Sequence, residues 1–114
     1  MVLSVLTAVE EGKLIVKREL LQYSIHDGSA AMRFELAGSL SGNGAQSVRY
    51  AWQTALSVIG DRPLVVDITR VSDADEDGHT LLLRWQQYGA KIIAESRESR
   101  ALAAAVFNEL YAGR

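Results

Sequence analysis

A short β-branched run passes into a dense group of acidic residues and then into a leucine-rich amphipathic run. Residues 64–69 (Leu-Val-Val-Asp-Ile-Thr) follow Pro63, the single proline of the chain, and predict a buried strand. Residues 73–78 (Asp-Ala-Asp-Glu-Asp-Gly) predict a turn, and the residues after them predict a helix over 78–89. A strand that leads through a short turn into a helix is typical of α/β domains, where the segments beyond the carboxyl ends of strands bind ligands and partners.

Length and composition limit the class of protein. The 114 residues fit one domain, and 48% hydrophobic with 23% charged residues is ordinary for a globular fold. A formal net charge of -2 with scattered basic residues does not favour nucleic-acid binding. The absence of cysteine excludes disulfides, thiolate metal sites and cysteine nucleophiles, and it favours a cytoplasmic location. Residues 1–9 are apolar but too short to insert across a membrane.

The remaining elements alternate between strands and helices. The pattern predicts a β-hairpin over residues 20–40, a polar loop over 38–44, a helix over 45–60, a strand over 90–94 and a last helix that Ser96 or Ser99 caps. We therefore expect a single-domain α/β fold, with a mixed β-sheet of about four strands and three helices in the order β-β-α-β-α-β-α.

The first nineteen residues precede this domain, which spans residues 20–114. The apolar runs at residues 2–9 and 14–16 fit either an added strand or a docked helix, and their periodicity does not decide between the two. We treat residues 1–19 as an N-terminal extension. A homodimer contact through this extension is one expectation.

Three segments resemble the STAS domain, the module shared by sulfate transporters and anti-sigma factor antagonists. They are residues 34–40 (Phe-Glu-Leu-Ala-Gly-Ser-Leu), residues 65–69 (Val-Val-Asp-Ile-Thr) and the acidic turn before Gly78. The resemblance covers about residues 20–110. It implies a STAS-like fold and a bacterial, non-enzymatic role in signalling or transcription regulation. The implied partner is a protein, such as an anti-sigma factor or a kinase-like regulator.

The resemblance also assigns roles within the acidic turn. Antagonists of the family read Asp-Ser-Ser-Gly there, and a partner kinase phosphorylates the first serine. This chain reads Asp75-Glu76-Asp77-Gly78, so Glu76 occupies the phosphoacceptor position and cannot be phosphorylated. We expect a constant negative charge and phosphorylation-independent binding at that position. The resemblance places partner binding at Gly38, Ser39, Leu40, Ser41, Asp75, Glu76, Asp77, Gly78 and His79.

Two other readings of the chain stay open. The spacing of Asp73, Asp75, Asp77 and Gly78 matches the first half of a calcium loop, but Arg84 stands where the bidentate glutamate belongs. We therefore expect no metal ligands and no cofactor, and keep as alternatives a metal-ion or small-molecule domain using residues 73–78, or a transporter-associated STAS subunit. No nucleophile elbow, phosphate-binding glycine loop or paired-histidine pattern is present, so we expect no catalytic residues and no enzyme activity.

Overall fold

Five strands and three helices follow one another along the described part of the chain. The structure is a computed structural model, which describes residues 2–3 and 20–112, with side chains described for residues 20–108. The elements are β1 (Val2–Leu3), β2 (Gln22–Asp27), β3 (Met32–Leu40), α1 (Gly42–Ile59), β4 (Leu64–Ala74), α2 (Glu76–Tyr88), β5 (Lys91–Ile93) and α3 (Arg97–Ala112).

The strands form one mixed sheet in the order β1-β2-β3-β4-β5. The first three strands are antiparallel, and β3, β4 and β5 are parallel, with helices α1 and α2 as the crossover connections. The expected α/β fold with a mixed sheet and three helices is confirmed. The fifth strand is β1, which comes from the N-terminal extension, while residues 4–19 lie outside the described part of the chain.

The core lies between one face of the sheet and the helices. Alternate side chains of β3 and β4 are buried, and they join buried side chains from all three helices in a single cluster. Trp85 of α2 lies at its centre, fully buried, with its ring 6.3 Å from Phe34 of β3 and 6.1 Å from Trp52 of α1. In α3, Val106 is buried, whereas its neighbour Phe107 is 50% exposed.

Two sequence-based boundaries are wrong, and both errors lie at the same end of the sheet. The expected loop at residues 38–44 is absent, because β3 continues to Leu40 and α1 begins at Gly42. The expected acidic turn is also absent, because β4 continues to Ala74 and α2 begins at Glu76. The cause is strand pairing: β3 and β4 stay paired to Leu40 and Ala74 through two register shifts. Tertiary pairing here outweighs the loop-like local composition.

Charged side chains connect the central strands on the face opposite the core. The Arg33 guanidinium donates to Glu35 Oε2 and to Asp67 Oδ2, both at 2.9 Å, so it joins β3 to β4. His26 Nε2 of β2 lies 3.5 Å from Glu35 Oε1. The hydrogen bond from Arg33 is the main cause that lowers the pKa of Glu35, and the positive charge of Arg33 acts in the same direction.

The central position of Trp85 generates the first prediction. Trp85→Ala should lower the free energy of unfolding by about 3–5 kcal/mol, because it removes a fully buried indole from the core. Tyr88→Ala is the matched control, since Tyr88 contacts the same Trp52 ring but is 44% exposed. It should cost less than about 2 kcal/mol. Urea unfolding measures both, and equal losses would contradict the assignment of Trp85 to the core centre.

The lowered pKa of Glu35 generates a prediction about pH. A carboxyl whose pKa is lower in the folded state contributes stability above its unfolded pKa and loses it as the pH falls through the folded value. The difference in unfolding free energy between wild type and Glu35→Gln should therefore shrink between about pH 7 and about pH 3. The Arg33→Gln variant lacks the guanidinium that lowers the pKa of Glu35. In that background this pH dependence should largely disappear. If the difference in unfolding free energy between wild type and Glu35→Gln stays constant with pH, the prediction is contradicted.

Candidate functional site

The parallel strands β3 and β4 end side by side, and a helix begins directly after each of them. Leu40 and Ala74 are the last paired residues, and the Asp75 N–H donates to the Leu40 carbonyl at 3.3 Å. One residue, Ser41, separates β3 from α1, and one residue, Asp75, separates β4 from α2. The free N–H groups of both helix starts therefore meet at one corner of the molecule, which we call the β3–β4 corner.

The Asp75 carboxylate binds the starts of both helices. Its Oδ1 accepts the N–H of Gly78 at 2.9 Å, which is an N-cap bond for α2. Its Oδ2 accepts the N–H of Gly42, the first residue of α1, at 3.1 Å. Ser41 occupies the N-cap position of α1 but makes no side-chain cap bond. Asp75, which follows β4, accepts the bond from the start of α1 instead.

A second acidic residue of the β3–β4 corner bonds to hydroxyl groups. The Ser39 hydroxyl donates to Asp73 Oδ1 at 2.6 Å, and the Ser41 hydroxyl lies 2.9 Å from that of Ser39. Since the Ser39 proton is directed to Asp73, the Ser41 hydroxyl is the donor in the second bond. Asp73 therefore joins the ends of the two strands across the sheet.

The other two carboxylates of the β3–β4 corner point to solvent. Glu76 and Asp77 lie in the first turn of α2 and are exposed, and neither forms an ion pair with a basic residue in the described part of the chain. Their negative charges complement the partial positive charge of the helix start. Arg84, one of the basic residues on the same helix, is also exposed and makes no ion pair with them. The acidic composition of the turn favours projection of Asp75, Glu76 and Asp77 into water; Glu76 and Asp77 are exposed in this way, whereas the Asp75 carboxylate is bonded to the two helix starts.

Two residues expected to bind a partner are buried and shape the corner. Leu40 is 0% exposed, and Gly78 is buried in the first turn of α2. A Cβ atom on Gly78 would lie 1.9 Å from the Leu40 carbonyl oxygen, so only glycine allows this approach of helix to strand. Gly38, at a φ of 99°, has a similar role, since its Cβ would lie 2.2 Å from the Leu20 carbonyl oxygen. Leu40 and Gly78 therefore pack the corner together, and their contact with a partner stays a prediction.

The contacts of Asp75 also bear on His79 and on the alternative that residues 73–78 bind a metal ion. His79 is partly exposed, and its backbone N–H donates to the Asp75 carbonyl at 2.8 Å. Both carboxylate oxygens of Asp75 already accept backbone N–H groups, so the central carboxylate of the half calcium loop is directed at the helices. Among residues 20–108, no group of three or more metal-ligating side chains is arranged around a common point. The same part of the chain contains no helix long and apolar enough to cross a membrane.

The two bonds of the Asp75 carboxylate generate a stability prediction. Asp75→Ala should lower the free energy of unfolding by about 1–2 kcal/mol, because the N-cap bond to α2 and the bond to α1 are both lost. Asp77→Ala is the matched control, since it removes an exposed carboxylate from the same helix turn, and it should cost about 0.5 kcal/mol. Urea unfolding at neutral pH measures both. Equal losses from the two variants would contradict the role of Asp75.

Comparisons with known proteins identify the fold. No family model matches the chain, and no curated protein matches it. A solved structure that is similar is that of an uncharacterised DUF3478-family protein with a SpoIIAA-like fold from Shewanella loihica PV-4. It shares 17% identity over 85% of this chain and 84% of that chain, with a TM-score of 0.54. The chain therefore has the SpoIIAA-like fold, which is the fold of STAS domains and anti-sigma factor antagonists.

Proposed function

We propose that this chain is a non-enzymatic regulatory domain that binds another protein through the β3–β4 corner. The observation that carries the proposal is the exposure of Glu76 and Asp77 on a rigid helix start, with no described basic residue paired to either. Two adjacent negative charges that no basic side chain of residues 20–108 pairs with favour a partner with a basic surface. The fixed backbone around them provides a docking position with little conformational entropy to lose.

The rigidity of the β3–β4 corner supports this proposal. Asp75 binds both helix starts, Asp73 is bonded to Ser39, and Gly78 packs against the Leu40 carbonyl. Four different structural elements therefore fix the position of the exposed pair. A partner would meet a preformed surface that includes Ser39, Ser41 and the partly exposed His79.

The charge of Glu76 supports binding that does not depend on phosphorylation. By the resemblance to anti-sigma factor antagonists, Glu76 stands where a serine would gain a phosphate, and its carboxylate carries one negative charge at neutral pH. The charge is constant, so this position does not switch. A partner that binds here would be released by competition or by changes in its own state, and an anti-sigma factor or kinase-like regulator is the partner class that we propose.

Charge reversal tests the proposal. The double variant Glu76→Lys with Asp77→Lys should retain a partner from the native source at least about tenfold less well than wild type, and the wild-type interaction should weaken with salt. The matched control is Asp61→Lys with Glu98→Lys. It reverses two exposed acidic residues away from the β3–β4 corner, one of them also in the first turn of a helix. Cross-linking followed by mass spectrometry should place the partner's contacts near Glu76.

Three outcomes would contradict the proposal. The first is equal retention of the partner by the corner variant and the control variant. The second is cross-links that map to a different surface. The third concerns phosphorylation alone: if phosphate is found on Ser72 or Thr80 and affinity follows it, binding is switched at a neighbouring position and is not phosphorylation-independent.

A further inference from the structure

A polar groove lies on the sheet face opposite the helices, separate from the β3–β4 corner. Its volume is about 210 Å³, and three neighbouring strands contribute its lining. The side chains that matter are arranged as two per strand: Gln22 and Ser24 from β2, Glu35 and Ala37 from β3, Asp67 and Arg70 from β4. None of these residues belongs to the partner-binding surface proposed above.

Strand register arranges these six residues in two parallel rows. Gln22 pairs with Ala37, and Ala37 pairs with Arg70, which gives the first row. Ser24, Glu35 and Asp67 form the second row in the same way. The rows are two residues apart along β3, which corresponds to about 7 Å. A register shift between Glu35 and Ala37 adds one residue to β4 and brings Arg70 to the same face as Asp67.

The two rows differ in charge. In the second row, Glu35 and Asp67 share the single guanidinium of Arg33, and the His26 imidazole lies 3.5 Å from Glu35, so that with a neutral imidazole two negative charges are balanced by one positive charge. In the first row, Arg70 is exposed, and no described residue forms an ion pair with it. The groove therefore has a net negative side and a positive side. The methyl group of Ala37 lies between Gln22 and Arg70 and leaves the space that the groove occupies.

We propose that this groove binds a small zwitterion whose two charges are separated by a short aliphatic chain, that is, a short ω-amino acid. Its carboxylate would accept hydrogen bonds from the Arg70 guanidinium and the Gln22 amide. Its ammonium group would donate to Glu35, Asp67 and the Ser24 hydroxyl. Its methylene groups would lie on Ala37. The row spacing of about 7 Å favours 4-aminobutyrate over glycine, whose charges are too close together to reach both rows.

Isothermal titration calorimetry of the full chain tests the proposal with 4-aminobutyrate and glycine as probes. Butyrate and butylammonium, which each carry one of the two charges, are the ligand controls. The expected result is saturable binding of 4-aminobutyrate with roughly millimolar or tighter Kd, and at least about tenfold weaker binding of the other three compounds.

Variants locate the binding at the groove. Arg70→Gln should weaken 4-aminobutyrate binding at least about tenfold, and Ala37→Leu should abolish it by filling the space between the rows. Arg84→Gln, on the surface of α2, is the matched control and should bind as wild type does. Circular dichroism confirms that each variant is folded. The proposal is overturned by absence of saturable binding to wild type, by single-charge controls that bind equally well, or by folded Arg70→Gln and Ala37→Leu variants that bind as wild type.

Discussion

The Asp75 carboxylate, bound to the first N–H groups of two helices, is the interaction on which the geometry of the β3–β4 corner depends. A helix start leaves N–H groups without partners in its own helix, and the polypeptide must provide acceptors from elsewhere. Here a single side chain serves α1 and α2 at 3.1 Å and 2.9 Å. This is possible only because β3 and β4 end at paired residues, Leu40 and Ala74, so that both helices begin at the same edge.

The four nearby carboxylates have different environments because of that arrangement. Residues 73–77 contain four acidic side chains in five positions, a density that would produce strong mutual repulsion if all four occupied the same environment. Asp73 accepts from a serine hydroxyl and Asp75 accepts from two backbone amides, so neutral donors stabilise both. Glu76 and Asp77 remain on the surface, where water screens them. The β3–β4 corner therefore needs no internal cation, and its outer two charges are available to a partner.

Local sequence patterns were sufficient to predict most of the fold. The β-branched run at residues 64–69, the leucine-rich amphipathic run after Gly78 and the serine cap at Ser96 all depend on neighbours within a few positions. The ends of β3 and β4 could not be predicted in this way. Their glycine, serine and aspartate residues resemble a loop, and only pairing between segments more than thirty positions apart keeps them extended.

The candidate site was predicted in part, for the same reason. The exposed Glu76 and Asp77 follow from their place at a helix start. The double role of Asp75 does not, because Gly42 lies on the other helix. The Arg33 contacts with Glu35 and Asp67 were also missed, and so was the groove beside them. The one signal in the sequence was Asp67 itself, a charged residue inside a β-branched run, because a carboxylate that a strand keeps largely buried requires a partner.

Nuclear magnetic resonance tests the central claim most directly, by following the amide protons of Gly42 and Gly78 through an acid titration. An amide that donates to a carboxylate changes its proton chemical shift when that carboxylate is protonated. Because one carboxylate accepts both bonds, the two amide shifts should change with a common midpoint in the wild type, and Asp75→Asn should abolish both changes. A Gly42 amide that does not follow the titration, or that follows it unchanged in Asp75→Asn, would contradict the account.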